Sequence, residues 1–169
     1  MDSYEEIVAK SELVANSSNE ERFEFFTNIL AQINRRNMKI KAEAMKKFNL
    51  KASHVSCIYA LFRNKKGLTN KELCEVCVED KAAISRTLDY LEENKFVVYN
   101  NKDRIYKAPI TLTKKGKEVG EYVAKTIDMV LEKSGQDITK EDLAIFYRGL
   151  ITINENMKEI NMDKYIYYI

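Results

Sequence analysis

"DKAAISRTLDYLEENKFV", Asp80 to Val97, carries two patterns at once. Ile84, Leu88 and Leu91 recur at helical spacing, so one face is expected to be buried while Lys81, Ala82, Ser85 and Arg86 stay outward. An ordinary surface helix has no reason to keep its outward N-terminal positions small. A helix pressed against a large polyanion does, because small side chains allow close approach and cations neutralise the partner. Just upstream, "LTNKELCEVC" holds Thr69 and Glu72 at the spacing of a capping box, with Leu73 and Cys77 as the inward pair of a short helix. The connection "VED" is short, and Asp80 stands where a carboxylate suits both the cap and the helix dipole. Two helices joined by so tight a turn form a helix-turn-helix candidate.

Beyond Val97 the period changes. "FVVY" and "IYKAPITL" are rich in β-branched and aromatic residues and flank the turn-like "NNKDR", which predicts a β-hairpin with Lys102 and Arg104 at its tip. "TKKG" then opens a long helix with Val119, Tyr122, Val123, Ile127, Val130 and Leu131 on one face, stopped by Gly135. A last helix is expected from near Thr139. Its residues Leu143, Phe146, Leu150, Ile153, Met157 and Ile160 alternate steps of three and four, the spacing of a helix-to-helix seam.

Upstream of the helix-turn-helix, "SYEE" from Ser3 and "SNEE" from Ser18 are two further capping boxes. The second opens a helix striped by Phe23, Phe26, Leu30 and Ile33, and another helix follows from Ser53 with Val55, Ile58, Leu61 and Phe62 inward. The expected architecture is mainly α with a small β-hairpin wing: a winged helix-turn-helix flanked by long N- and C-terminal dimerisation helices. Its parts are N-terminal helices over 1–50, a winged helix-turn-helix lobe over 51–113 and C-terminal dimerisation helices over 114–169, in one structural domain.

Composition agrees with that reading. The 169 residues include only five glycines and one proline, too few for a turn-rich sandwich or barrel. No apolar run approaches the roughly 20 residues that span a bilayer, and the acidic start "MDSYEEIVAK" is unlike a secretory signal, so a cytoplasmic protein with no membrane partner is expected. The net charge of +2 is distributed in blocks. Residues 1–24 carry 7 acidic against 2 basic side chains, and residues 35–51 carry 7 basic against 1 acidic. Residues 63–117 hold 13 basic and 8 acidic, and residues 118–169 hold 6 basic and 10 acidic. A positive middle between negative ends suggests a basic working surface.

With "LTNKELCEV", "DKAAISRTLDYLEENKFV", Asp103-Arg104 and "ITLTKKGKEV" in this order and spacing, residues 20 to 160 resemble the MarR family (multiple antibiotic resistance regulators). The resemblance implies a homodimer with interlocking terminal helices and one winged helix-turn-helix lobe per subunit. It further implies a transcriptional regulator, a repressor by expectation, that binds a pseudo-palindromic operator and is released by a small molecule or by oxidation. In place of the glycine that often follows the recognition helix in the family, this chain has Asn94-Lys95, and Asn94 is expected in the left-handed position.

On this reading Ala82 allows close approach in the major groove, Ser85 bonds a base or phosphate, and Arg86 forks onto guanine or a phosphate beside Lys81. Arg104, positioned by Asp103, is the minor-groove candidate. Thr69, Asn70 and Lys71 would hold a phosphate through free amides and charge at the start of the shorter helix. Asp89 lies on the outward side, which confines DNA contact to the first two turns. Each residue also has a plainer reading as solvated helix or turn surface.

Neither a cofactor nor a metal is expected, and no enzyme: there is no phosphate-cradling glycine loop, and a single histidine offers no Ser/His or Cys/His pairing. Cys74 and Cys77 form a C-x-x-C within one helix, with Cys57 and His54 on the preceding one. A thiol- or metal-responsive regulator of the same fold is therefore one alternative, although Cys77 also reads as core. Another is a winged-helix protein-interaction module that does not bind DNA.

Overall fold

Helices here begin where a hydroxyl and a carboxylate can satisfy the free amides of a first turn, and end where the chain can turn left-handed. The computed structural model describes residues 3–100 and 108–160. Ser3 and Ser18 cap α1 (Tyr4–Ala15) and α2 (Asn19–Lys46) through complete capping boxes with Glu6 and Glu21. The basic segment from 35 to 46 thus extends the second helix, which runs for 28 residues and packs α1 along its first half. A turn through Asn49, at φ 56°, leads into α3 (His54–Arg63).

Next come α4 (Asn70–Cys77) and α5 (Lys81–Glu93), both of them packed on α3. The hairpin strands β1 (Val97–Tyr99) and β2 (Ile110–Leu112) pair antiparallel in the register Val97 to Leu112, Val98 to Thr111 and Tyr99 to Ile110. Leu68 adds a bridge to Ile110, so the turn before α4 borders the sheet as a third, one-residue strand. That turn needs Gly67: at φ 86°, a Cβ would lie 2.6 Å from the Ile110 carbonyl oxygen.

These elements share one core. Ile58, Leu73, Ile84, Leu88, Leu91, Phe96 and Ile110 are essentially inaccessible, and Met45 and Leu50 close the core from the α2 end. Each such side chain contributes about 1.5–3 kcal/mol through removal from water. The helix α6 (Lys114–Ser134) joins the core through Val119 and Val123. Its first turn meets the chain after α5 so closely that a Cβ at Gly116 would lie 2.0 Å from the Phe96 carbonyl oxygen. Residues Met1–Val130 form one compact unit and Leu131–Ile169 a second, in which α7 (Lys140–Lys158) is capped by Thr139 and buries none of its side chains. The described helices include none long and apolar enough to cross a membrane.

The end of α5 departs from expectation. Asn94 sits at φ −89°, ψ 10° as the C-cap, and Lys95 takes the left-handed position at φ 60°. Lys95 N–H donates to Glu92 O at 2.9 Å and Phe96 N–H to Leu91 O at 2.8 Å, the paired bonds of a Schellman motif. Packing decides the register. Phe96 must reach the core beside Leu91, and this places the reversal one residue later than side-chain preference alone would put it. The Asn94 amide instead donates to Tyr90 O at 2.9 Å.

Candidate nucleic-acid interface

Three supports hold α5 as a rigid, one-sided element. At its start, Asp80 Oδ1 accepts the Ala83 N–H at 2.7 Å. In its last turn, the Tyr90 hydroxyl donates to Asn49 O at 2.8 Å and its ring stacks on His54 with centroids 4.7 Å apart. At its end, Lys115 Nζ donates to Asn94 O at 2.9 Å while lying 3.9 Å from the centre of the Phe96 ring. A cation here suits the negative end of the helix dipole. Thr113 completes the joint, donating through its hydroxyl to Lys95 O at 2.7 Å and accepting the Gly116 N–H.

With Ile84, Leu88 and Leu91 buried, rotation about the helix axis is determined, and Lys81, Ala82 and Arg86 are exposed with Ser85 half-buried beside them. Asp89 is exposed on the next turn, so the positive character of this face ends there. The structure therefore brings the four α5 candidates together on one surface. Asp103 and Arg104 lie outside the described residues.

The start of α4 is more constrained than its sequence suggests. Thr69 N–H and Oγ1 both donate to the Glu72 carboxylate, at 2.7 and 2.8 Å, and Glu72 N–H returns to Thr69 Oγ1. These bonds hold the Glu72 carboxyl below its usual range. Lys71 is exposed and pairs loosely with Glu75 at 3.8 Å, while Asn70 is half-buried with its side-chain Oδ1 buried and lacking a hydrogen-bond partner among the described residues. An incoming phosphate would meet Lys71 and the remaining amides, with the Glu72 carboxylate already in place beside them.

Sequence reasoning missed the residues that brace α5: Tyr90, His54 and Lys115 act through partners 21 to 41 positions away, and no spacing rule marks them. His54 is buried, its Nδ1 accepting the Lys51 N–H at 3.2 Å. Burial first, and the Lys51 charge second, lower its pKa from the ordinary histidine value. Among the described residues no group of three or more His, Cys, Asp or Glu side chains is placed to hold a metal ion.

Helix α3, the α4–α5 pair and the β1–β2 hairpin together make a winged helix-turn-helix. Solved structures with the same architecture include MarR-family regulators. MepR from S. aureus, solved as a DNA complex, is 16% identical with a TM-score of 0.71, covering 83% of this chain and 99% of that one. A MarR transcriptional regulator from Methanosarcina mazei Go1 is 17% identical with a TM-score of 0.67, covering 82% and 92%. Staphylococcus aureus MarR, solved in complex with salicylate and kanamycin, is 21% identical with a TM-score of 0.69, covering 83% and 96%. No protein-family model and no curated protein matches the sequence. The chain has the MarR-type winged-helix fold.

Proposed function

We propose that this protein is a sequence-specific DNA-binding transcriptional regulator, a repressor, that grips a pseudo-palindromic operator as a homodimer and responds to a small-molecule effector. The observation that carries this reading is the α5 surface: a braced helix whose exposed first turns combine small residues with Lys81 and Arg86. Such a helix can enter a major groove, where Arg86 forks onto guanine and Ser85 reaches a base or phosphate. Ala82 keeps the approach close. Lys71 and the first amides of α4 contact the flanking backbone, and Arg104 with Asp103 serves the wing. The DNA-bound state of MepR supports this use of the fold.

The homodimer is proposed from the apolar stripes of the terminal regions, 1–50 and 114–169. In a single chain Phe23, Leu30 and Ile33 on α2 are 69%, 40% and 52% exposed. A second copy would cover them and set two α5 helices about one helical turn of DNA apart. The salicylate complex of the S. aureus relative supports an effector of small aromatic type.

Selection of bound fragments from the host genome by the purified protein tests the proposal. Recovery of an inverted repeat with half-sites about 10 base pairs apart is the expected outcome. Affinity for that repeat should fall with salt at a log-log slope of roughly −0.9 per neutralised phosphate. Arg86→Ala should weaken specific binding by about 1–3 kcal/mol with no loss of folding. Recovery of random DNA only, or of none, would mean that the bound state needs a missing ligand or would favour a protein-interaction module instead.

A further inference from the structure

Among the described residues four that are not glycine take a left-handed backbone, and one of them is chemically out of place. Asn49 and Asp137 are side chains that tolerate this conformation, and Lys95 is held in it by the placement of Phe96 in the core. Val78, at φ 55° and ψ 47°, is β-branched, the type to which this region is least accessible. The turn explains the conformation, because the Val78 and Glu79 N–H groups both donate to Cys74 O and close α4 before the chain reverses into α5. It does not explain the side chain. Glycine would make the same two bonds without the strain, and at 88% exposure the valine recovers nothing from the core.

Backbone strain that the fold itself does not need clusters where a residue meets a ligand. We propose that Val78 is a specificity-determining residue that reads the 5-methyl group of a thymine at the edge of each half-site, beside the bases met by α5; this rests on the regulator reading above.

Its position suits that task. Val78 opens the three-residue connection between α4 and α5, so its Cα lies at most about 11 Å from that of Lys81. This is within the roughly 12 Å width of a major groove entered by α5. The thymine methyl is the apolar group displayed in that groove, and a short aliphatic side chain is what recognises it. Neighbouring charges disfavour the other surface of DNA: Glu79 and Asp80 follow Val78 as exposed carboxylates and repel a phosphate. Val76, 57% exposed on the last turn of α4, and exposed Ala82 on the first turn of α5 continue the apolar character on either side of the connection. A valine here is costly to the lone chain and useful only against an apolar group of a partner.

Replacement of each thymine in turn by deoxyuridine, in both halves of the selected repeat, provides the test, with affinity measured for the full-length chain. At one thymine position loss of the methyl should weaken the wild-type chain about tenfold. Val78→Gly should bind the two versions alike, at the weaker level. Val78→Asn, which also suits a left-handed backbone but carries no methyl, should behave as the glycine variant does. Folding is read separately: Val78→Gly should raise the denaturant midpoint by relieving the strain, so that its weaker binding has no origin in unfolding. A wild-type chain indifferent to every methyl, or a Val78→Gly chain that keeps the preference for thymine, overturns the proposal and leaves the regulator reading intact. Failure to select any repeat counts against the regulator reading and overturns this proposal with it.

Discussion

The winged lobe and the terminal helices spend their apolar residues differently. In the lobe, α3, α4, α5, the hairpin and the start of α6 bury Ile58, Leu73, Leu88, Phe96, Ile110 and Val119 against one another within a single chain. Along α1 no residue is buried, along α2 only Met45 is, and α7 buries none, although all three helices carry apolar stripes. Exposed apolar stripes of this kind are uncommon in monomers, and the proposed homodimer is the association that would cover them.

This contrast can be attacked from both sides. The largest effect belongs to the lobe: Leu88→Ala opens a cavity at a fully buried core position, and should cost about 3–5 kcal/mol in denaturant unfolding at any protein concentration. On the terminal side, Ile33→Glu should leave the unfolding of the lobe nearly unchanged but halve the mass seen in sedimentation, from a dimer of the 19.7 kDa chain to a monomer. A wild-type chain that sediments as a monomer would break the comparison outright. A smaller effect sharpens it at the α5 terminus, where Lys95→Gly removes the penalty for a side chain at φ 60° and should stabilise the lobe by about 0.5–1 kcal/mol.

The smallest effect is a pH slope. His54 is the single histidine, and its pKa is lowered in the folded chain, so the folded state takes up a proton less readily than the unfolded one. Its contribution is complete above the unfolded value near 6.5 and is lost as pH falls through that value toward the lower folded one. Unfolding free energy should therefore decline between about pH 7 and 5, and His54→Gln should flatten that slope. Glu21 and Glu72 are also lowered, but as carboxylates they act only nearer pH 4.5 and below, outside this window.

Much of the architecture is legible in the sequence. All three capping boxes form as written, at Ser3, Ser18 and Thr69. The inward faces of α3 and α5, the hairpin and the stop at Gly135 also follow the pattern of residues. So does the outward placement of Lys81, Ala82 and Arg86, because burying Ile84, Leu88 and Leu91 leaves the helix no other rotation. The left-handed residue after α5 was legible only to within one position. Side-chain preference favours Asn94, whereas the need to place Phe96 in the core selects Lys95.

What the sequence by itself determined is therefore local: which segments are helix or strand, where each starts, and which face turns inward. These depend on backbone bonds three or four residues apart and on a repeating period, both of which a linear string encodes directly. Only the tertiary structure decided that Cys57 meets Cys77 and that Tyr90 reaches Asn49. It likewise decided that Lys115 caps α5 and that Gly116 admits the backbone at Phe96. Such contacts join residues some 20 to 40 positions apart. They depend on how helices cross and how deeply they pack, and spacing along one helix carries no record of its angle to the next.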